Sequence, residues 1–156
     1  MPRRTGLDAA RSRTIEGVTL PDRTRAFLRR ERLYATISTL DEDGGPRQAV
    51  TWYRVDGDEI VINSLVGRRW PTNLLRDPRI AVAVIDPAPG ENWVGLTGIA
   101  RAVTDQATAQ ADIAEMARRY EPGEPEAAER RIRETFGRQE RISFRVTVEK
   151  VHEHFD

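Results

Sequence analysis

Residues 48–66 read QAVTWYRVDGDEIVINSLV and contain the strongest hairpin signal in the chain. The two flanking runs, Gln48–Val55 and Glu59–Val66, are rich in β-branched and aromatic residues, which favour strands. Asp56-Gly57 lies between them, and this dipeptide is typical of the two-residue turn that joins antiparallel strands. The segment therefore predicts a β-hairpin within an antiparallel sheet.

Four further segments predict strands on either side of the hairpin, namely Leu33–Leu40, Ile80–Ile85, Trp93–Val103 and Ile142–Val151. Apolar residues recur at every second position of the first and last segments, as on one buried face of a sheet. The run Ile80–Ile85 is apolar throughout, which is typical of a strand buried on both faces. Gly95 and Gly98 indicate a bulge or a close backbone approach in the strand that contains them.

Helices are expected between these strands, at residues 19–30, 71–77, 105–120 and 126–136. Pro21 and Pro71 suit a first helical turn, Thr104 can cap the third helix, and Gly137 can end the fourth. Consecutive hairpins pair antiparallel, and six strands leave exposed edges unless the sheet closes. The expected fold class is therefore mainly β with added helices, built on a six-stranded antiparallel barrel. Residues 1–18 are expected to form a flexible N-terminal tail, and residues 19–156 a single domain.

The composition excludes several classes of function. The 156 residues include no cysteine, so disulfides, iron–sulfur clusters and a cysteine nucleophile are excluded, and a cytoplasmic location is expected. The 25 basic residues balance 25 acidic ones, so no net positive charge favours nucleic acid. No apolar run approaches the ~18 residues of a membrane span, and no membrane partner is expected. His152 and His154 are too few ligands for a metal site without cysteine, so none is predicted.

The most informative segment for function is residues 63–73, NSLVGRRWPTN, in which a strand end leads through a glycine and two arginines into a helix. Backbone N–H groups at a helix N-terminus and the helix dipole favour a bound anion. Arginine adds bidentate hydrogen bonds to phosphate, and Lys150 is the only lysine in the chain. On the residues alone, a phosphate site and a solvated turn with two surface arginines are equally supported.

Alternate side chains of the first hairpin strand point to opposite faces, which places Gln48, Val50 and Trp52 together and Ala49, Thr51 and Tyr53 together. An amide, a hydroxyl and two large rings could line a flat aromatic ligand. Ordinary strand propensity explains the same residues and is the favoured interpretation. Trp93 could likewise cap a ligand or a dimer contact, although core and interface-rim positions are more common for tryptophan.

The order of these elements and motifs resembles the pyridoxamine 5′-phosphate oxidase-like split β-barrel proteins, and most closely their coenzyme F-420-dependent branch. The resemblance extends from about Pro21 to Phe155. It is carried by Gly44-Gly45-Pro46, Trp52, Asp56-Gly57, Asn63-Ser64, Gly67-Arg68-Arg69, Asn73-Leu74, Asp77-Pro78-Arg79, Trp93-Val94 and Thr97-Gly98. It implies an FMN-binding type of split barrel that forms a homodimer, with two equivalent cofactor sites at the subunit interface.

The resemblance also implies a role for particular residues, by their position in the motifs. The isoalloxazine or deazaflavin ring would lie along Gln48, Ala49, Val50 and Thr51. The ribityl chain or phosphate would bond Asn63 and Ser64. The phosphate segment would comprise Gly67, Arg68, Arg69, Trp70 and Asn73, with Trp70 at a position where many relatives have a phosphate-binding lysine. Trp93 would reach in from the other subunit.

The function implied by the resemblance is hydride transfer from reduced coenzyme F-420 to a planar conjugated small molecule. Two alternatives remain open: an FMN-dependent oxidoreductase of the same fold, and a non-catalytic flavin- or tetrapyrrole-binding protein. The sequence reveals no catalytic acid. Tyr53 would be a candidate proton donor only if its side chain faced the ligand.

Overall fold

Seven strands and four α-helices make up residues 16–88 and 90–156, the part of the chain that the computed structural model describes. The strands are β1 (Ala35–Leu40), β2 (Pro46–Thr51), β3 (Arg54–Asp56), β4 (Glu59–Leu65), β5 (Arg79–Ile85), β6 (Trp93–Val103) and β7 (Arg141–His154). The helices are α1 (Asp22–Leu28), α2 (Arg69–Arg76), α3 (Gln106–Tyr120) and α4 (Pro125–Glu134), and a 3₁₀ turn covers Phe136–Arg138. Most of the predicted N-terminal tail, residues 1–15, lies outside the described residues.

All seven strands belong to one antiparallel sheet in the order β2-β1-β5-β6-β7-β4-β3. The edge strands β2 and β3 are nevertheless consecutive in sequence, separated only by Trp52 and Tyr53. The sheet must therefore curl until its two edges approach each other at this corner. Within the described residues no ladder joins β2 to β3, so the sheet is barrel-shaped without being closed by hydrogen bonds.

The expected number of six strands was wrong because the predicted strand Gln48–Val55 is broken in its middle. The Tyr53 side chain is fully buried, and its hydroxyl donates to the Leu28 carbonyl at 2.7 Å. Its backbone N–H donates to the Tyr120 hydroxyl at 3.2 Å instead of to a neighbouring strand. These tertiary contacts outweigh the strand propensity of the Trp-Tyr pair and turn the chain from one sheet edge to the other.

The main core fills the concave side of the sheet. It is formed by Ile37 of β1, Ile62 of β4, Val82 of β5, Leu96 of β6 and Phe144 of β7, each at most 3% exposed. Helix α1 adds further apolar side chains to this cluster. Burial of each such side chain stabilises the fold by roughly 1.5–3 kcal/mol. A second, smaller cluster lies under α3, on the other side of β4. β4 is consequently buried on both faces, and Asn63 lies on the same face as Val61, between the sheet and the helical layer.

The apolar strand β5 departs from its prediction. Ile80, Val82 and Val84 are buried, but the alternate side chains Ala83 and Ile85 are exposed, the latter at 58%. The expectation that this strand is buried on both faces is therefore wrong for the single chain. Its outer face presents small and apolar groups to the surroundings.

The predicted irregularity in β6 occurs at Gly98. The register of β6 against β7 shifts between Thr97 and Gly98. A Cβ atom at Gly98 would lie 2.1 Å from the Thr147 carbonyl oxygen, so only glycine fits at this position. The bulge prediction is confirmed, with a close backbone approach as its cause.

Candidate functional site

A cleft of about 350 Å³ lies between the end of β2, the middle of β4 and the layer formed by α4 and the 3₁₀ turn. Four of the residues predicted from the sequence line it: Val50, Thr51, Asn63 and Arg68. These segments are distant in sequence. They meet in the cleft because the chain turns between β2 and β3 and because β4 is packed on both of its faces. The cleft is therefore the place where the predicted ring-contacting and phosphate-contacting residues converge.

Aromatic side chains form one wall of the cleft. Trp52 stacks on Tyr120 with ring centroids 5.1 Å apart and planes only 7° from parallel. Phe136 meets the Trp52 ring edge-on at 6.3 Å, and Tyr34 packs on Tyr120 at 5.4 Å. The Arg131 guanidinium lies 5.4 Å from the Trp52 ring centroid and pairs with Glu121. Such a wall suits a flat conjugated ligand, which can stack on or against the rings.

A hydrogen-bond network at the floor of the cleft centres on Asn63 and Arg141. The Asn63 amide nitrogen donates to the Ala109 carbonyl and to the Ser143 hydroxyl, both at 2.9 Å. Its amide oxygen accepts from Nε and Nη2 of Arg141 at 3.0 and 2.8 Å. Nη1 of Arg141 donates to the Gln139 side-chain oxygen at 2.7 Å. Asn63 thus holds the arginine in place, and every side-chain partner of that arginine is a neutral amide.

Positive charge concentrates in this cleft. Arg141 is only 5% exposed, and among the described residues no carboxylate lies within 4.0 Å of its guanidinium. Burial, and then the nearby charge of Arg68, lower the pKa of Arg141 to about 10. The residue remains cationic at neutral pH. Two arginine charges beside an aromatic wall make the cleft suitable for a planar ligand with an acidic group.

The two arginines of the predicted phosphate segment point in different directions. Gly67 has φ +91°, and Arg68 follows in an extended conformation as the N-cap of α2, facing the cleft. The Arg69 side chain is 65% exposed and lies 3.8 Å from the Asp41 carboxylate. Of these two arginines, only Arg68 contributes charge to the cleft.

Four other predicted residues lie in different surroundings. Trp70 is buried in the core against Phe144, with ring centroids 5.8 Å apart. Asn73 is buried and donates to the Asp41 carboxylate at 2.9 Å. The Ser64 hydroxyl is buried and has no partner among the described residues. Trp93, at the start of β6, stacks on His154 at 5.9 Å, outside this cleft.

The remaining predicted residues on β2 have different degrees of exposure. Gln48 is exposed, and Ala49 packs partly against the main core. Tyr53, the proton donor considered from the sequence, faces the interior of the protein. Burial raises the pKa of the Tyr53 hydroxyl, which is already bonded to a backbone carbonyl. It cannot donate a proton to a ligand in the cleft.

Sequence reasoning missed the contribution of the segment from α4 to the start of β7. Arg131, Phe136, Gln139 and Arg141 all line the cleft. Arg141 and its partner Asn63 are 78 positions apart in sequence. The chain is rich in arginine, so the only sequence feature that indicates a special role for Arg141 is its position just before an apolar strand.

The described residues contain neither a metal-binding cluster nor a membrane-spanning helix. No group of three or more His, Cys, Asp or Glu side chains is arranged to hold a metal ion there. None of the helices in residues 16–88 and 90–156 has the length and apolar character needed to cross a membrane.

Comparison with known proteins gives one family match and several structural neighbours. The family profile described as Pyridoxamine 5′-phosphate oxidase matches residues 20–155. No curated protein matches the chain. Among solved structures, an F-420 reductase is 23% identical with a TM-score of 0.66, over 85% of this chain and 98% of that one. A conserved hypothetical protein from Mycobacterium tuberculosis is 20% identical with a TM-score of 0.73, over 89% and 86%.

A third neighbour has a different described role. The haem storage protein HutZ from Vibrio cholerae is 18% identical with a TM-score of 0.64, over 86% of this chain and 95% of that one. At these identities the structural likeness establishes the fold alone.

Proposed function

The chain belongs to the pyridoxamine 5′-phosphate oxidase family, and on that basis we propose that it is an oxidoreductase that binds a flavin-type cofactor in the cleft. The observation that carries the proposal is the combination of Arg68 and Arg141 with the aromatic wall. Flavins and deazaflavins join a flat conjugated ring to a phosphate, so they require stacking and a positive charge within one ligand length.

The finer proposal is that the cofactor is coenzyme F-420 and that the acceptor is a planar conjugated small molecule. It is supported by the resemblance of the Gly67-Arg68-Arg69 segment to the deazaflavin branch and by the likeness to an F-420 reductase. Reduced deazaflavin, when bound, supplies a hydride. Val50 and Thr51 would flank the ring, Arg68 would bind phosphate, and Trp52 would exclude water from one side. FMN is the alternative cofactor.

A non-catalytic binding protein is the second candidate, because the fold is shared with a haem storage protein. The sequence reveals no catalytic acid, which keeps this candidate under test. Neither His152 nor His154 lines the cleft in the described chain, so haem there would have no imidazole ligand from the same subunit. A flavin-type ligand therefore fits the cleft better.

A homodimer is part of the same proposal. Val50 and Ile85 are 69% and 58% exposed, and a shallow groove of about 320 Å³ crosses the outer side of β1, β5 and β6. Exposed apolar surface of this kind usually marks an interaction site. A second copy covering this side would bury the apolar outer face of β5. Trp93 of the partner subunit would then be available to the cleft.

The dimer is tested by light scattering of the purified protein at micromolar concentration. We expect a dimer for wild type and a monomer for Ile85→Asp, because a buried unpaired carboxylate opposes association. Glu42→Gln, an exposed change outside this face, serves as the control and should remain dimeric. A monomeric wild type would count against a site shared between subunits.

Cofactor binding is tested by titrating F-420, FMN and haem while following tryptophan fluorescence. We expect F-420 to bind most tightly and Arg68→Ala to weaken its binding at least about tenfold, since one charge-assisted contact is worth about 1.5–3 kcal/mol. Arg69→Ala is the matched control, because Arg69 faces Asp41 and its loss should change the affinity less than about threefold. The Arg68 effect should also decrease at high salt.

Each contrary result has a defined meaning. Equal losses for the two variants would contradict the placement of phosphate beside Arg68. FMN binding without F-420 binding would replace the cofactor while preserving the site. Haem binding alone, with no oxidation of reduced cofactor by a panel of quinone and enone acceptors, would favour the binding protein over the enzyme.

A further inference from the structure

Arg141 is a buried arginine with no acidic partner among the described residues. The residue is 5% exposed and lines the cleft, and its side-chain acceptors are the amide oxygens of Asn63 and Gln139. Exposed arginines such as Arg79 and Arg118, in contrast, are paired with carboxylates of their own chain. A buried cation without a counterion is costly in the unliganded protein. The fold retains this charge in a cleft, where a ligand can reach it.

The guanidinium is also held in a fixed orientation. Its three side-chain hydrogen bonds use three of the five N–H groups that an arginine offers, leaving one on each terminal nitrogen. The Phe136 ring covers one side of the group at 5.2 Å from its central carbon. Asn63 is itself fixed by bonds to Ala109 and Ser143. Because the side chain is already ordered, little conformational entropy is lost when an anion binds.

We infer that Arg141 is a preformed oxyanion site at the floor of the cleft, which binds a carboxylate or phosphate group of a planar ligand. Its remaining N–H groups match the paired oxygens of such a group. The identity of the ligand rests on the proposed function, but the anion site rests only on the surroundings of Arg141. The oxyanion belongs either to the cofactor or to an acidic substituent of the acceptor.

Gln139→Glu is the decisive variant, because it places a carboxylate where the amide now accepts from Arg141 at 2.7 Å. The change is nearly isosteric and supplies the missing counterion within the chain. We expect the variant to remain folded with a raised melting temperature. We also expect its affinity for inorganic phosphate to fall at least about tenfold. Arg138→Gln, an exposed neighbour with the same change in net charge, is the matched control and should retain the wild-type phosphate affinity.

The first measurement uses inorganic phosphate alone. Phosphate at constant ionic strength, with chloride as the reference anion, should raise the melting temperature of wild type and Arg138→Gln but not of Gln139→Glu. This result does not require cofactor binding, so it can succeed even if the proposed function fails. A phosphate response that is absent from wild type, or equal in all three proteins, would overturn the inference and leave Arg141 as a structural link between β4 and β7.

The second measurement identifies the source of the oxyanion. If the cofactor supplies it, Gln139→Glu should weaken F-420 or FMN binding at least about tenfold. If the acceptor supplies it, cofactor affinity should be unchanged, while the KM of a carboxylate-bearing quinone rises by a similar factor and that of its methyl ester does not. Unchanged cofactor affinity together with unchanged KM for the acid would contradict the inference.

Discussion

Arg54 and Arg141 are both largely buried beside the helical layer, but only the charge of Arg54 is neutralised by carboxylates. Arg54, on β3, donates to the Asp112 carboxylate at 2.5 Å and lies 3.4 Å from that of Glu115. Burial acts to lower the pKa of Arg54, but the hydrogen bond and charge of Asp112, with the other carboxylates nearby, raise it overall. Arg141 has amide partners only, and its pKa is lowered to about 10 by burial and by Arg68.

The difference separates a structural charge from one that is available to a ligand. The Arg54–Asp112 pair joins α3 to the edge of the sheet, and both charges are neutralised within the chain. Arg141 lies at the floor of a cleft and is oriented by groups that leave its charge intact. A buried arginine therefore indicates function in this protein only when its counterion is missing.

The largest expected effect is on the neutralised pair. Asp112→Ala should lower the free energy of unfolding by about 3 kcal/mol, because it leaves Arg54 partly buried without its main partner. Urea denaturation at pH 7 measures the loss. Glu115→Ala is the control: its carboxylate is 65% exposed, and its removal should cost no more than about 0.5 kcal/mol. Similar costs for the two variants would show that burial does not set the strength of this cluster.

A smaller effect is expected when the second arginine is replaced. Arg141→Met should cost about 1 kcal/mol, because the loss of hydrogen bonds to Asn63 and Gln139 is offset by removal of an unpaired buried charge. Arg54→Met, the parallel change, should cost about 3 kcal/mol by leaving the Asp112 carboxylate unpaired. Denaturation of the two variants in phosphate-free buffer provides the comparison. Equal losses of unfolding free energy in the two variants would contradict the distinction between a neutralised and an unpaired buried arginine.

Much of the fold could be predicted from the sequence because its determinants are local. The Asp56-Gly57 turn, the alternating strands and the bulge at Gly98 each depend on neighbouring residues. The break at Trp52–Tyr53 could not be predicted, because it depends on contacts with Leu28 and Tyr120 that are distant in sequence. The exposure of alternate residues on β5 was missed for a related reason: the chain carries apolar residues on a face that its own fold leaves uncovered.

The candidate site was only partly predictable for a physical reason. Arg68 follows a strand and precedes a helix, but the local sequence predicts the same phosphate-binding role for Arg69. Arg69 is the next residue, but its side chain turns toward Asp41 because of the helix geometry and the attraction of this carboxylate on another segment. Arg141 becomes distinctive only through what surrounds it, and the absence of a counterion is a property of the folded chain.

The smallest expected effect concerns the exposed rim of the Arg54 cluster. Asp56 is 51% exposed, and its carboxylate accepts from Arg145 at 2.7 Å. This hydrogen bond, with the charges of Arg145 and Arg54, lowers the pKa of Asp56 below its ordinary 3.8. A carboxyl with a lowered pKa in the folded state contributes stability above its unfolded pKa, and the contribution is lost as pH falls through the folded pKa.

Asp56→Asn should therefore cost up to about 0.5 kcal/mol at pH 7 in low salt, and nothing once the carboxyl is protonated in both states. Urea midpoints from pH 7 to pH 2, with Glu42→Gln as the exposed control, measure this difference. A cost that persists at the acid end, or that high salt leaves unchanged, would mean that Asp56 stabilises the cluster by packing and not by charge.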